Sequence, residues 1–156
     1  MNSGQPTLWD SIKSLFNKSP DNRRLLEFRI ARLTGDKDGT QTNLLVRAFS
    51  NRSEIRVKAF NAPLPVENSG YGSANFLQSA LITGRQWLEK DKADLLIWGD
   101  VNEVGTVIHL RFITQAGDAD HPGGFLLTDR LAMPTNFGSE FSKLLYAVAI
   151  AAIMPR

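Results

Sequence analysis

Four sets of residues have types and spacings that could carry chemistry. Gly117-Asp118-Ala119-Asp120-His121 brings two carboxylates and an imidazole together, oxygen and nitrogen ligands of the kind a divalent cation accepts. The further ligands and terminal Glu of an EF-hand loop are missing, and a turn-rich connection uses the same Gly, Asp and Pro. No metal site is expected there. Asn68-Ser69-Gly70-Tyr71-Gly72-Ser73 precedes a helical pattern, and backbone amides at such a helix start can hold an anion. No Lys follows the glycines, so neither a P-loop nor a complete dinucleotide fingerprint is present. A tight turn before a helix is the simpler account, and Gly70, Gly72 and Ser73 remain an alternative anion site.

Arg29, Arg56, Lys58, His109, Arg111 and Arg130 all fall on strand-like segments and could share one sheet face as a basic strip. Sheets that read single-stranded nucleic acid interleave aromatic residues on which bases stack. None is expected to alternate with these cations, and Glu27 and Asp100 would neutralise part of the strip. A solvated or helix-flanked face with cross-strand ion pairs is expected, which argues against nucleic acid as a partner. Enzymatic signals are weaker still. There is no G-x-S-x-G elbow, His109 lies inside a strand, and the acid pairs Glu89/Asp91 and Asp94/Asp100 show no reason for unusual pKa values. Cysteine is absent, which removes thiolate nucleophiles and Cys-type zinc sites. No catalytic residue, cofactor or metal is assigned.

The elements that must position these residues are easier to read. A chain of 156 residues with 42% hydrophobic and 22% charged residues fits a single domain with its own core. A net charge of +2 gives little whole-molecule attraction to polyanions. The plainest segment is Ala93–Ile113. The apolar run Leu95-Leu96-Ile97-Trp98 reaches Gly99-Asp100, turns at Asn102–Thr106, and returns as the alternating Val107–Ile113. This pattern predicts a buried strand hairpinned to a more exposed antiparallel one. Around it, strands are expected at Leu25–Leu33, Glu54–Phe60 and Phe125–Leu131, the last stopped near Pro134. Helices are expected at Thr40–Asn51, about Ser73–Asp91 and about Glu140–Met154, with Gly84 letting the second approach the sheet closely. The result is an α/β fold with a mixed five-stranded sheet, β-α-β-α-β-β-β-α. Strand order 2-1-3-4-5 is favoured, with the first two helices on opposite faces. An extra N-terminal helix, Leu8 to about Asn17 with a possible Thr7–Asp10 capping box, and its linker occupy residues 1–22, and the α/β domain residues 23–156.

This element order, with A-D-L-L-I-W-G-D-V at Ala93–Val101 and H-L-R-F at His109–Phe112, resembles the module found at the N-terminus of TolB, related copies of which occur in bacterial proteins beside tetratricopeptide repeats or signalling modules. The resemblance covers roughly residues 25–153. It implies a non-catalytic module for protein–protein contacts and transfers no catalytic residue. Two departures are visible: the added N-terminal helix, and charges in the first strand at Glu27, Arg29 and Arg32.

The terminal helices provide the functional expectation. Leu144–Met154 is apolar around its whole circumference, more than one stripe against a sheet requires. The surplus is expected to be covered by the N-terminal helix, by a second copy, or by further chain following Arg156. Trp9, Ile12 and Phe16 on the first helix, with Leu145, Val148, Ile150 and Ile153 on the last, are the expected interaction surface. The expected role is an adaptor module, the N-terminal part of a larger bacterial protein or a homo-oligomer, with downstream helical repeats as one setting. The alternative is an anion, nucleotide or single-strand binder using the basic sheet face. No secretory signal or spanning segment is read from the sequence, so a cytoplasmic protein is expected.

Overall fold

Leu95–Val101 forms the central strand β3, and its first four residues are all buried. In the computed structural model, residues 25–65, 74–115 and 130–153 are described. Ahead of β3 come β1 (Leu26–Ile30), α1 (Thr40–Ser50), β2 (Ile55–Ala59) and α2 (Ala74–Asp91). After it come β4 (Val107–Thr114), β5 (Leu131–Pro134) and α3 (Ser139–Ile153). The five strands form one mixed sheet in the order β2-β1-β3-β4-β5. β1 is parallel to both β2 and β3, whereas β4 runs antiparallel to β3 and to β5.

Strand parity divides the core. Leu95 and Ile97 point to the side where Phe28, Ile30, Ile108 and Leu110 meet Leu45 and Phe49 of α1 and Leu145 and Ile150 of α3. Leu96, Trp98 and Ile113 point the other way, to Phe76, Leu77, Ala80 and Leu88 of α2. β3 is therefore apolar at consecutive positions because helices cover both of its faces. β4, away from the centre, returns to alternation in its burial. Among the described residues one face carries two helices and the other one, and polar residues lie on the flanks of α2.

Two glycines permit this arrangement. A Cβ on Gly84 of α2 would lie 2.5 Å from Ile113 Cδ1 and 3.1 Å from Leu96 Cδ2, so the helix rests directly on the sheet. At Gly99 a Cβ would overlap the carbonyl oxygen of His109, which is backbone and has no room to move. The β3–β4 hairpin closes at Asn102, whose Oδ1 accepts from the amides of Thr106 at 2.8 Å and Val107 at 3.0 Å. The entry to α1 is fixed by the buried Asp36 carboxylate, which accepts from the Thr42 amide and hydroxyl, both at 2.8 Å, and from the Gln41 amide at 3.2 Å.

Two boundaries differ from the sequence reading. The first strand ends at Ile30; the Ala31 amide still donates to the Ile97 carbonyl at 2.9 Å, and Thr34 then forms an isolated bridge to Asp100. The fifth strand is Leu131–Pro134 rather than Phe125–Leu131, with Leu110 opposite Leu131 and Val107 opposite Pro134. Pro134 does not stop it because β5 is an edge strand, where a missing amide donor leaves no neighbour unpaired. The expected N-terminal helix lies outside the described residues.

Gly99→Ala is expected to destabilise the fold by about 3 kcal/mol or more, because backbone must part from backbone at the centre of the sheet. Urea unfolding of the two proteins measures it.

Candidate functional site

The charged residues expected to share a face do share it. Strand registers place Arg29, Arg56, Lys58, His109 and Arg111 on the side that α2 partly covers, and Arg130 immediately precedes β5. Arg29, only 4% exposed, donates to Asp91 at the end of α2, to Glu27 at 3.0 Å and to the Phe28 carbonyl at 3.0 Å. Glu27 accepts in turn from Arg56 at 3.0 Å. Its backbone exchanges hydrogen bonds with Asp94: the Glu27 amide donates to the Asp94 carboxylate, and the Asp94 amide to the Glu27 carbonyl, both at 2.8 Å. This half of the strip is a brace between β1, the end of α2 and the start of β3. Losing one member would leave a buried charge unmatched. Asp94 and Asp91, read above as members of acid pairs, are held in it.

The other half of the face differs. His109 Nδ1 lies 3.5 Å from Asp100 Oδ2. Trp98 stands directly opposite Arg111 in the β3–β4 register, with the guanidinium carbon 6.0 Å from the centre of the indole ring. An aromatic side chain therefore does lie among the cations, contrary to the expectation from sequence. The signal was available, since antiparallel pairing through the Asn102–Thr106 turn fixes which residues face each other. Thr34, Leu64, Phe76, Trp98, Gly99, Asp100, Arg111 and Arg130 surround an open cleft of about 410 Å³, its solvent-filled mouth included. Among the described residues, no three His, Asp or Glu side chains are grouped as metal ligands. Gly70, Gly72, Ser73 and the 117–121 loop lie outside the described residues.

On the opposite face, the expected interaction surface is redistributed. Leu145 and Ile150 are 0% exposed and belong to the core under the sheet, so neither can meet a partner. Val148 is half-buried, as is Ile153, which packs on the same cluster. The residues that α3 turns outward are Phe141 and Leu144, 38% and 45% exposed. With half-buried Val148 and Ala151 they follow the i, i+3, i+7, i+10 spacing of one helical row. An uninterrupted apolar run has no periodicity to separate inward from outward positions, so sequence reasoning missed Phe141 and Leu144. Trp9, Ile12 and Phe16 lie outside the described residues.

No family model and no curated protein matches the chain. Among the described residues, no helix is long and apolar enough to cross a membrane.

Beside the row, Tyr146 turns inward under Arg52, whose guanidinium carbon is 4.2 Å from the ring centre. Its hydroxyl is buried without a hydrogen-bond partner. Burial raises its pKa above 10.0, Glu54 raises it further and Arg52 opposes the rise. Because the folded pKa is raised, the neutral phenol's contribution is complete below the unfolded value of 10.0 and is lost as the pH climbs from there through the higher folded pKa. Tyr146→Phe should leave stability at neutral pH unchanged or about 1 kcal/mol higher, since it removes an unsatisfied hydroxyl. It should also remove this part of the alkaline loss. Urea unfolding at neutral and alkaline pH checks both.

Proposed function

We propose that this chain is a non-catalytic protein-interaction module that associates with a second copy of itself through the outward row of α3. The observation that carries the reading is the exposure of Phe141 and Leu144 on a helix whose other side is already spent on the core. The small residues Ala147, beside the row, and Ala151, one turn-step beyond Val148, give it the relief that helix packing uses. Glu140 and Lys143 flank it with one charge of each sign, so two copies meet without net repulsion. Association would remove from water a row that is left partly exposed in the single chain.

The same proposal includes a cytoplasmic setting and an adaptor role of the kind implied by the resemblance to TolB N-terminal modules. The residues behind that resemblance have physical work in this fold: Asp94 braces β1, and Gly99 lets β3 lie against β4. A larger bacterial protein with helical repeats would use the same row for contacts within the assembly.

Sedimentation velocity across the micromolar range tests the proposal. The wild-type chain is expected to pass from monomer to dimer, and Leu144→Glu to remain monomeric. That variant's unfolding free energy should stay within about 0.5 kcal/mol of wild type, as befits an exposed position. A wild-type chain that stays monomeric throughout, or a Leu144→Glu variant that dimerises equally well, overturns it.

A further inference from the structure

We infer that two copies of the chain meet through α3 in antiparallel order about a two-fold axis, with Phe141 of each copy seated on Ala151 of the other and Leu144 on Val148. This arrangement rests on the self-association proposed above and assigns to each residue of the row its counterpart on the second copy.

The spacing of the row suits a second helix. Phe141 and Val148 are seven residues apart, as are Leu144 and Ala151, and all four lie within Ser139–Ile153. Two helices that carry such a heptad seam pack side by side with their axes inclined by about 20°. The contact then runs along the whole row, about 15 Å at the rise of an α-helix.

The order of sizes along the row selects the direction. Side-chain bulk falls from Phe141 and Leu144 through Val148 to Ala151, and exposure falls with it, from 38% and 45% to the two half-buried positions. With the axis level with residue 146, antiparallel helices pair Phe141 with Ala151 and Leu144 with Val148. A large side chain then meets a small one at every level, and the two helices keep an even separation. Parallel helices set each residue against its own copy. Phe141 on Phe141 forces one end apart, and Ala151 on Ala151 leaves a gap at the other, against the close packing that stable contacts need. Antiparallel pairing also has the reciprocity of a two-fold contact, in which the residue that i meets is the residue that meets i.

Charge favours the same direction. Glu140 is in the first turn of α3 and Lys143 follows three residues later, whereas the last turn, Ile150–Ile153, is uncharged. Antiparallel order puts the charged start of each helix beside the uncharged end of the other, and it sets the positive end of each helix dipole beside the negative end of its neighbour. Parallel order would gather both Glu140 side chains, both Lys143 side chains and both positive helix ends at one end of the contact.

Cross-linking of the full chain tests the direction. The sequence contains no cysteine, so an introduced thiol is the only one in each variant. In antiparallel order Ala147→Cys brings the thiols of the two copies together beside the axis. Ala151→Cys places them at opposite ends of the contact, about 15 Å apart along it. Each variant, shown by sedimentation to be dimeric, is treated with a thiol cross-linker shorter than that separation. Ala147→Cys should be captured as a covalent dimer, and Ala151→Cys alone should give only the collisional background. An equal mixture of Ala151→Cys and Phe141→Cys should be captured as the mixed dimer. Dimeric Ala151→Cys that is captured as fully as Ala147→Cys, or a dimeric mixture that yields no mixed product, overturns the antiparallel order and leaves self-association standing. A wild-type chain that stays monomeric across the micromolar range overturns both.

Discussion

The burial of β3 from both sides is the constraint that orders this molecule. A strand apolar at every position from Leu95 to Trp98 requires cover above and below, and the chain supplies α1 and α3 on one side and α2 on the other. Close cover in turn requires Gly84, where the helix touches the sheet, and Gly99, where β3 meets the backbone of β4. The topology follows from the same need. Crossovers that leave β1 and β2 for opposite faces put β1 beside β3 and leave the hairpin β3–β4 and edge strand β5 to complete the sheet.

Unequal cover gives the two faces different chemistry. The face under α1 and α3 is dominated by apolar side chains, and their surplus emerges on the far side of α3 at Phe141 and Leu144. The face that α2 covers carries polar residues on either flank among the described residues. Toward β2, charges close on one another in the Arg29–Glu27–Arg56 network, with Asp91 tying in the helix end. Toward β5 they surround a cleft with an aromatic floor, and Arg111 lies over Trp98. The basic strip that reads as one feature in sequence is thus two: a brace at one end and a recess at the other.

What was legible in the sequence was whatever depends on periodicity and on local turn chemistry. The alternation of Val107–Ile113, the break at Asn102–Thr106 and the order of strands and helices favour, among several strand orders, the 2-1-3-4-5 sheet that the structure has, and Gly84 reads as a close approach. What was not legible depends on partners distant in sequence. The fifth strand was misplaced because Pro134 reads as a stop unless the strand is known to lie at an edge. Leu145 and Ile150 could not be separated from Leu144, since only the position of the sheet decides which side of an all-apolar helix is hidden. The pairing of Trp98 with Arg111 is a different case: it was legible from the register that the Asn102–Thr106 turn sets, though not from the composition of either strand.

The distinction within α3 between a hidden side and a side awaiting cover is open to direct measurement. A soluble nitroxide added to the labelled protein broadens the methyl and aromatic signals it can reach. At low protein concentration it should broaden Phe141 and Leu144 and spare Leu145 and Ile150; at high concentration it should spare all four. Equal broadening of Leu144 at both concentrations, or broadening of Leu145 and Ile150 at either, would contradict the account.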